Sequence, residues 1–336
     1  MVSRNYKLKK ICLVVPYFGK WPNYFQFFLK SCEFNPTINW LFYTDCEIPL
    51  NYPKNVKFIS ASSDDFNKLA SKKINLKISI TYPYKLCDLK PAYGHIFEDY
   101  LKDVDFWGYG DIDVIYGNIR KLLTEEILSK FDIITGYDHS LAGPFTIFRK
   151  EQKYLYKGNS DYKKVFTSEE SLSFDETNFI YNENIFSSKS PATRGKNGIK
   201  SMTHYVAELV ENGKIKLYAN SLVVNLKLKE KTEIEFDNGK LVSDKIKEIF
   251  LVHFLLIRIN NKLLLPELTP IKNNFFISSC GIYYDKKPFY FKKMEIYAKI
   301  TVLTYVKVKI GRFLARFFPK LYYFYKKYKY KKVPRI

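Results

Sequence analysis

Asp111 and Asp113 are the residues of this 336-residue chain whose type and spacing best suit chemistry. They end the apolar run in Val104-Asp105-Phe106-Trp107-Gly108-Tyr109-Gly110-Asp111-Ile112-Asp113-Val114-Ile115-Tyr116-Gly117. Alternate residues of an extended chain point the same way, so a local bend brings both carboxylates to one cation. Mg2+ or Mn2+ is commonly held by one or two carboxylates, with substrate phosphates and water completing the shell. The pair therefore suits a metal–diphosphate complex. A solvated loop is the ordinary place for an isolated Asp-X-Asp, so the surroundings must decide. Gly108, Gly110 and Gly117 flank it, and glycine permits close backbone approach. Upstream, Tyr84-Lys85-Leu86-Cys87-Asp88-Leu89-Lys90-Pro91-Ala92-Tyr93-Gly94 puts Lys85 and Lys90 about a predicted helix start. Cations and helix N-termini both stabilise phosphate.

Together these two segments, YKLCDLKPAYG and DFWGYGDIDVIYGNI, resemble the signature of bacterial polysaccharide-type glycosyltransferases with the GT-A fold. In particular they are similar to a group of mostly uncharacterised proteins from capsule and lipopolysaccharide gene clusters. The resemblance covers roughly residues 10–260, and the central block is its specific part. It implies that Asp111 and Asp113 bind the Mn2+ or Mg2+ of a nucleotide-sugar donor, with a glycan or lipid-linked acceptor. It also implies that Lys85, Asp88 and Lys90 lie near the donor, and Tyr17, closing the first strand, joins them as a candidate donor contact.

A late histidine often completes the metal site in GT-A enzymes, and of the four here His253, in Phe250-Leu251-Val252-His253-Phe254, has the matching place. Neutral imidazole is a competent ligand for such a metal, although a satisfied core histidine is the plain alternative. Arg258 could fill the place of a basic residue that commonly follows. Gly136-Tyr137-Asp138-His139 and Gly143-Pro144 resemble the family's acceptor-side segment, which makes Asp138 a catalytic candidate with His139 beside it. Asp175 and Glu176 stand where the family often carries an acidic pair, and a carboxylate there would take the proton of the acceptor hydroxyl. Acids at a helix N-terminus explain the same two residues equally well.

Elements of an α/β sheet must position these groups. Ile11–Phe18 reads as a buried parallel strand, Asn39–Thr44 and Val56–Ser60 as two more. Helices are expected from Asn23 to Phe34, after the Ser62-Ser63-Asp64-Asp65 cap to Lys73, over 88–101, over 118–130 and over 201–212. The strand carrying Asp111 runs out at the sheet's carboxyl edge, where open α/β folds bind ligands. A strand over 132–136 follows, and Asp237-Asn238-Gly239-Lys240 reads as a hairpin turn. The expected architecture is α/β, GT-A-like, with a mixed, mainly parallel sheet flanked by helices. One catalytic domain over 1–285, with a donor half to about 135 and an acceptor half from 136, would precede a tail.

Charge sets the tail apart. Of the net +21, residues 286–336 carry +15, leaving +6 on the body. Lys309, Arg312, Arg316 and Lys320 oppose an apolar stripe at helical spacing, the pattern of a basic amphipathic helix at an anionic membrane surface. Because the basicity belongs to the tail, it does not make the body a nucleic-acid binder. Cys12, Cys32, Cys46, Cys87 and Cys280 are scattered and odd in number, which argues against a disulfide framework or zinc site and fits a reduced cytoplasm. The start of the chain reads as a core strand rather than a signal peptide, and no apolar run is long enough to span a bilayer. The expected location is the cytoplasmic face of the plasma membrane. Two other classes share these features: a nucleotidyltransferase, for which Pro16-Tyr17-Phe18-Gly19-Lys20 is a poor phosphate loop, and a non-catalytic membrane-binding protein.

Overall fold

Ile11–Tyr17 is buried at every residue but its last, which suits a strand covered on both faces inside a parallel sheet. The computed structural model describes residues 8–178, 184–186, 198–226, 233–254, 265–268, 270–278 and 281–285. In chain order the elements begin β1 (Ile11–Tyr17), α1 (Phe25–Glu33), β2 (Ile38–Thr44), β3 (Val56–Ser60), α2 (Ser63–Ile74), α3 (Lys85–Leu89) and α4 (Tyr93–Ile96). Next come β4 (Phe106–Gly110), β5 (Val114–Tyr116), α5 (Ile119–Leu122), α6 (Glu125–Lys130), β6 (Ile133–Thr135), β7 (Phe145–Arg149), α7 (Tyr162–Thr167) and α8 (Met202–Glu211). The last are β8 (Leu217–Ala219), β9 (Val223–Asn225), β10 (Ile234–Asp237), β11 (Lys240–Val242), β12 (Leu251–His253), β13 (Asn274–Ser278) and β14 (Gly281–Tyr283).

The chain forms two units. One takes residues 1–20, 35–112 and 119–223, the other 21–34, 113–118 and the described part of 224–336.

The first unit is built on a sheet of order β3-β2-β1-β4-β7-β6-β8. Its pairings are parallel except where β7 runs against β4 and β6. The carboxyl ends of β1, β4, β6 and β8 therefore share one edge. Phe66, Ala70 and Ile74 of α2 and Met202 and Val206 of α8 pack with Val14, Tyr43, Trp107 and Phe148 of the sheet. This is the mixed, mainly parallel α/β architecture expected.

α2 starts where the sequence says, because Ser62 and Asp65 form a reciprocal capping box. The 88–101 helix is instead broken. It begins at Lys85, so Pro91 falls beyond its first turn, and the chain tightens into a 3-10 turn over Lys90–Ala92 before α4. The proline ring supplies no N–H there. The 118–130 helix divides likewise, with Thr124 capping its second half.

The second unit holds a four-stranded sheet, β11-β10-β13-β14, a three-stranded sheet, β5-β12-β9, and α1. Phe27, Ile115, Phe236, Val252 and Phe275 share its core. α1 begins at Phe25, with Tyr24 in the N-cap position and contributing no side-chain cap. Between β10 and β11, Asn238 and Gly239 have φ of 46° and 87°, the two left-handed positions that a tight hairpin turn needs. Arg258, Cys280 and the tail from 286 lie outside the described residues.

Candidate metal and acidic site

β4 is buried along its whole length, and its ladder to β7 ends at Gly110 opposite Phe145. The glycine at 108 serves the sheet itself: a Cβ there would come within 2.5 Å of the Thr146 carbonyl oxygen. After Gly110 the chain leaves β4 through Asp111-Ile112-Asp113 and enters β5, which pairs with β12 instead.

Within the second unit, Val114 pairs with His253, and the Phe254 N–H donates to the Asp113 carbonyl at 2.8 Å. That register fixes the two side chains together. His253 Nε2 stands 3.5 Å from Asp113 Oδ1, and both side chains are about as buried as side chains can be. The other ring nitrogen, Nδ1, is 2.9 Å from the amide oxygen of Asn225 at the end of β9. An amide oxygen only accepts, so Nδ1 carries the proton and donates. In the neutral ring Nε2 then presents a lone pair, and it is buried with no hydrogen-bond partner. A lone pair facing a carboxylate is repulsive unless a cation or proton lies between them. Within this unit, a hard carboxylate oxygen of Asp113, one imidazole nitrogen of His253, and Asn225 holding the imidazole's far side are groups of the kind a divalent ion takes.

Within the first unit, Asp111 meets a different partner. Lys90 Nζ is 2.8 Å from Asp111 Oδ1 and 3.6 Å from Asp175 Oδ2, and it donates to the Gly143 carbonyl at 3.1 Å. Burial works against the ammonium's charge, but Asp111, Cys87 and Asp175 outweigh it and raise its pKa well above the usual lysine value. Burial also pushes the Asp175 carboxyl well above the carboxylate range, Lys90 opposing and Glu176, Asp88 and Asp111 adding. Glu176 Oε1 accepts from the Gly143 N–H at 2.8 Å. Lys90, Asp111, Asp175 and Glu176 thus form one acidic cluster around a single cation.

Lys85 and Asp88 are placed differently. Both side chains are fully buried, and Lys85 Nζ lies 3.0 Å from Asp88 Oδ2. Lys85 also donates to the Val165 and Glu170 carbonyls, while Asp88 accepts from the Leu172 and Phe174 N–H groups. What they do here is hold the chain that leads into Asp175. Tyr17 closes β1, and its hydroxyl donates to the Lys20 carbonyl at 3.0 Å. Asp138 and His139 lie in the loop after β6, partly exposed and bonded to each other at 2.9 Å.

Comparison with known proteins bears on kinship more than on chemistry. A family model described as "Family of unknown function (DUF6625)" matches residues 13–283. The chain belongs to that family. No curated protein matches it. Solved structures that align with it include the galactosyltransferase LgtC in complex with donor and acceptor sugar analogs, at 13% identity and a TM-score of 0.33. That alignment covers 72% of this chain and 86% of LgtC. Another is mouse xyloside xylosyltransferase 1 in its apo form, at 8% identity and a TM-score of 0.36, covering 65% of this chain and 88% of that one. These superpositions are loose. The family match carries no activity and no link to capsule or lipopolysaccharide.

For this DUF6625 member the sequence reading missed Asn225, whose only signal is a polar residue closing the apolar run Leu222-Val223-Val224. It also missed Gly143 as a backbone partner of both Lys90 and Glu176. A cavity of about 300 Å³ lies elsewhere, lined by residues including Glu98, Lys102, Trp107, Lys150 and Lys153 at the amino end of β4. None of the candidate site residues lines it. Its walls hold their own ion pairs, Lys153 with Glu98 among them, and the chemistry is better sought at the carboxyl edge.

Proposed function

We propose that this protein is a metal-dependent glycosyltransferase that moves a sugar from a nucleoside-diphosphate donor to a glycan or lipid-linked acceptor. The observation that carries the reading is the buried, unpartnered Nε2 of His253 facing Asp113, two residues from Asp111. Each of the three side chains offers one ligand atom, and a Mn2+ or Mg2+ ion held by them would offset the charge that builds on the departing diphosphate. Resemblance of the YKLCDLKPAYG and DFWGYGDIDV segments to GT-A signatures supports the choice of reaction.

In this reading Lys90 fixes the Asp111 carboxylate and adds positive charge beside the donor. Lys85 and Asp88 position the 165–174 segment and do not touch the nucleotide themselves. Tyr17 lies at the same sheet edge as a donor contact. The acceptor hydroxyl's proton goes to the Asp175–Glu176 pair, of which Glu176 has the more accessible carboxylate. The basic segment 286–336 holds the enzyme to anionic lipid on the cytoplasmic side of the plasma membrane. Among the described residues no helix is long and apolar enough to cross a membrane.

Hydrolysis of UDP-, GDP- and dTDP-sugars with Mn2+ tests the proposal. Turnover with one donor class, lost in Asp113→Asn and His253→Gln and abolished by chelation, is the expected result. A wild-type protein that takes up no Mn2+, or variants that hydrolyse the donor as fast as wild type, would overturn it. Flotation with anionic vesicles, comparing the full chain with one ending at 285, tests the tail separately.

A further inference from the structure

Three segments of the first unit meet at the amino end of β4. Lys150 opens a 3-10 helix that runs from Lys150 to Gly158. Side chains three residues apart eclipse in such a helix, so Lys150 and Lys153 project from one face. Glu98 and Asp99 stand in a 3-10 turn, Glu98–Tyr100, and Lys102 follows it before β4 begins at Phe106. With Gly94 and Trp107 these residues line the cavity of about 300 Å³. Trp107 lies three residues before Gly110, about 10 Å along an extended strand. The cavity and the carboxyl edge are therefore separate places.

The acids of the wall are already matched. Glu98 takes Lys73 on one oxygen at 3.1 Å and Lys153 on the other at 2.7 Å. Asp99 takes Lys73 on Oδ2 at 2.7 Å. Burial opposes the Glu98 charge, but Lys153 and Lys73 outweigh it and hold the carboxyl down at about 2. Lys102 and Lys150 have no such match. Among the described residues neither ammonium meets a carboxylate, and Lys150 donates to the Lys102 backbone carbonyl. Four lysines thus stand against two acids.

The wall also holds an unused donor. Trp107 is 1% exposed and stacks on Phe148 with ring centroids 4.6 Å apart. Its Nε1 is buried with no hydrogen-bond partner. A buried N–H left unpaired costs free energy, which a bound acceptor removes. Gly94 lets the chain approach that edge of the indole: a Cβ there would come within 2.2 Å of Cε2, the ring atom bonded to Nε1. Asp99 Oδ1, with no bond of its own among the described residues, supplies an acceptor. A phosphate monoester carries nearly two negative charges and three accepting oxygens, which suits unmatched ammoniums. The volume is at the small end for ligand sites, so a monosaccharide fits better than a nucleotide sugar.

We propose that this cavity is a second ligand site, which binds a monosaccharide phosphate with its phosphate on Lys102 and Lys150 and a sugar hydroxyl on Asp99. The claim does not depend on the transferase reading, because none of these residues belongs to the Asp111, Asp113 and His253 group or to the cluster around Lys90.

Calorimetry on the full chain in EDTA tests it with glucose 1-phosphate, glucose 6-phosphate, inorganic phosphate and glucose. At least one of the two esters is expected to bind, and glucose is not. Lys102→Ala and Lys150→Ala are each expected to weaken that ester about tenfold or more, the effect of one lost charge-assisted hydrogen bond. Lys68→Ala, at an exposed lysine of α2, is expected to leave it unchanged. Asp99→Ala is expected to weaken the ester and not inorganic phosphate. In nitrogen-15 spectra the indole N–H signal missing from Trp107→Phe is expected to shift with the ester in wild type. At the same concentration it stays in place in Lys150→Ala, and thermal unfolding confirms that each variant is folded. Failure of both esters to bind, an equal loss in Lys68→Ala, or an unmoved Trp107 signal would overturn the site. Inorganic phosphate binding as tightly as both esters would overturn it too, since the sugar would then contribute nothing.

Discussion

The Lys90 ammonium lies 2.8 Å from the Asp111 carboxylate, on a side chain that is only 8% exposed. The same cation stands 3.6 Å from Asp175, so removing it leaves two acids facing each other without a counter-charge. Breaking a buried pair from one side costs about 3–5 kcal/mol. Lys90→Met is therefore expected to lose stability on that scale in urea unfolding. Lys90→Met with Asp175→Asn, which removes one of the two stranded acids, should recover part of the loss. Equal stability of the two variants would contradict the shared-cation arrangement.

Asn225 holds the far side of the His253 imidazole, through which it would act on a metal bound in the proposed site. It accepts from Nδ1 at 2.9 Å and so decides which ring nitrogen is free to bind. Outer partners of this kind typically contribute 10–100-fold in metal affinity. Asn225→Ala is expected to weaken Mn2+ binding by about that factor, measured by calorimetry, without removing a ligand. Asn225→Asp should bind more tightly than Asn225→Ala, because a carboxylate still accepts from Nδ1.

How far the sequence could go is visible in these residues. Asp111 and Asp113 stood out as candidates because a break in an apolar run, with carboxylates at i and i+2, is a local pattern. The capping box of α2 and the Asn238-Gly239 turn were local too. His253 needed the family resemblance, since nothing near it in the chain sets it apart from a core histidine. Asn225 and the Gly143 backbone could not be read at all. Their roles come from strand pairing and loop closure over long separations, 28 residues for Asn225 to His253 and 53 for Lys90 to Gly143. The broken helix after Lys85 failed for another reason: its start was set three residues late, and that displaced Pro91 from a tolerated position to a disruptive one.

His95 gives the first unit an acid-sensitive point of its own. Burial pushes its imidazole down to about 4, with Lys157, Lys153 and Lys73 adding and Glu98 opposing. Its Nδ1 lies 2.8 Å from the Tyr156 hydroxyl. The unfolded ring takes a proton near pH 6.5 while the folded ring stays neutral until about 4. Stability from this group is thus full above pH 6.5 and falls as pH drops toward 4, at a slope of at most about 1.4 kcal/mol per pH unit. His95→Gln is expected to flatten the urea stability curve in that window relative to wild type. An unchanged slope would mean that His95 does not titrate as its burial dictates.

Lys85 and Asp88 make the sharpest division between structure and catalysis. Every polar atom of this buried pair that faces the protein is used: the ammonium on Asp88 and two carbonyls, the carboxylate on Lys85 and two N–H groups. The bonded segment, 165–174, runs directly into Asp175. Lys85→Met removes one charge and strands the other, so a loss of about 3–5 kcal/mol is expected. Asp88→Asn keeps the shape and one accepting oxygen, and should cost less. If the pair only positions the segment, Asp88→Asn lowers stability and turnover while the affinity for Mn2+ with a nucleoside diphosphate stays at the wild-type value. A nucleotide affinity that falls in Asp88→Asn while stability holds would instead make the pair a direct donor contact.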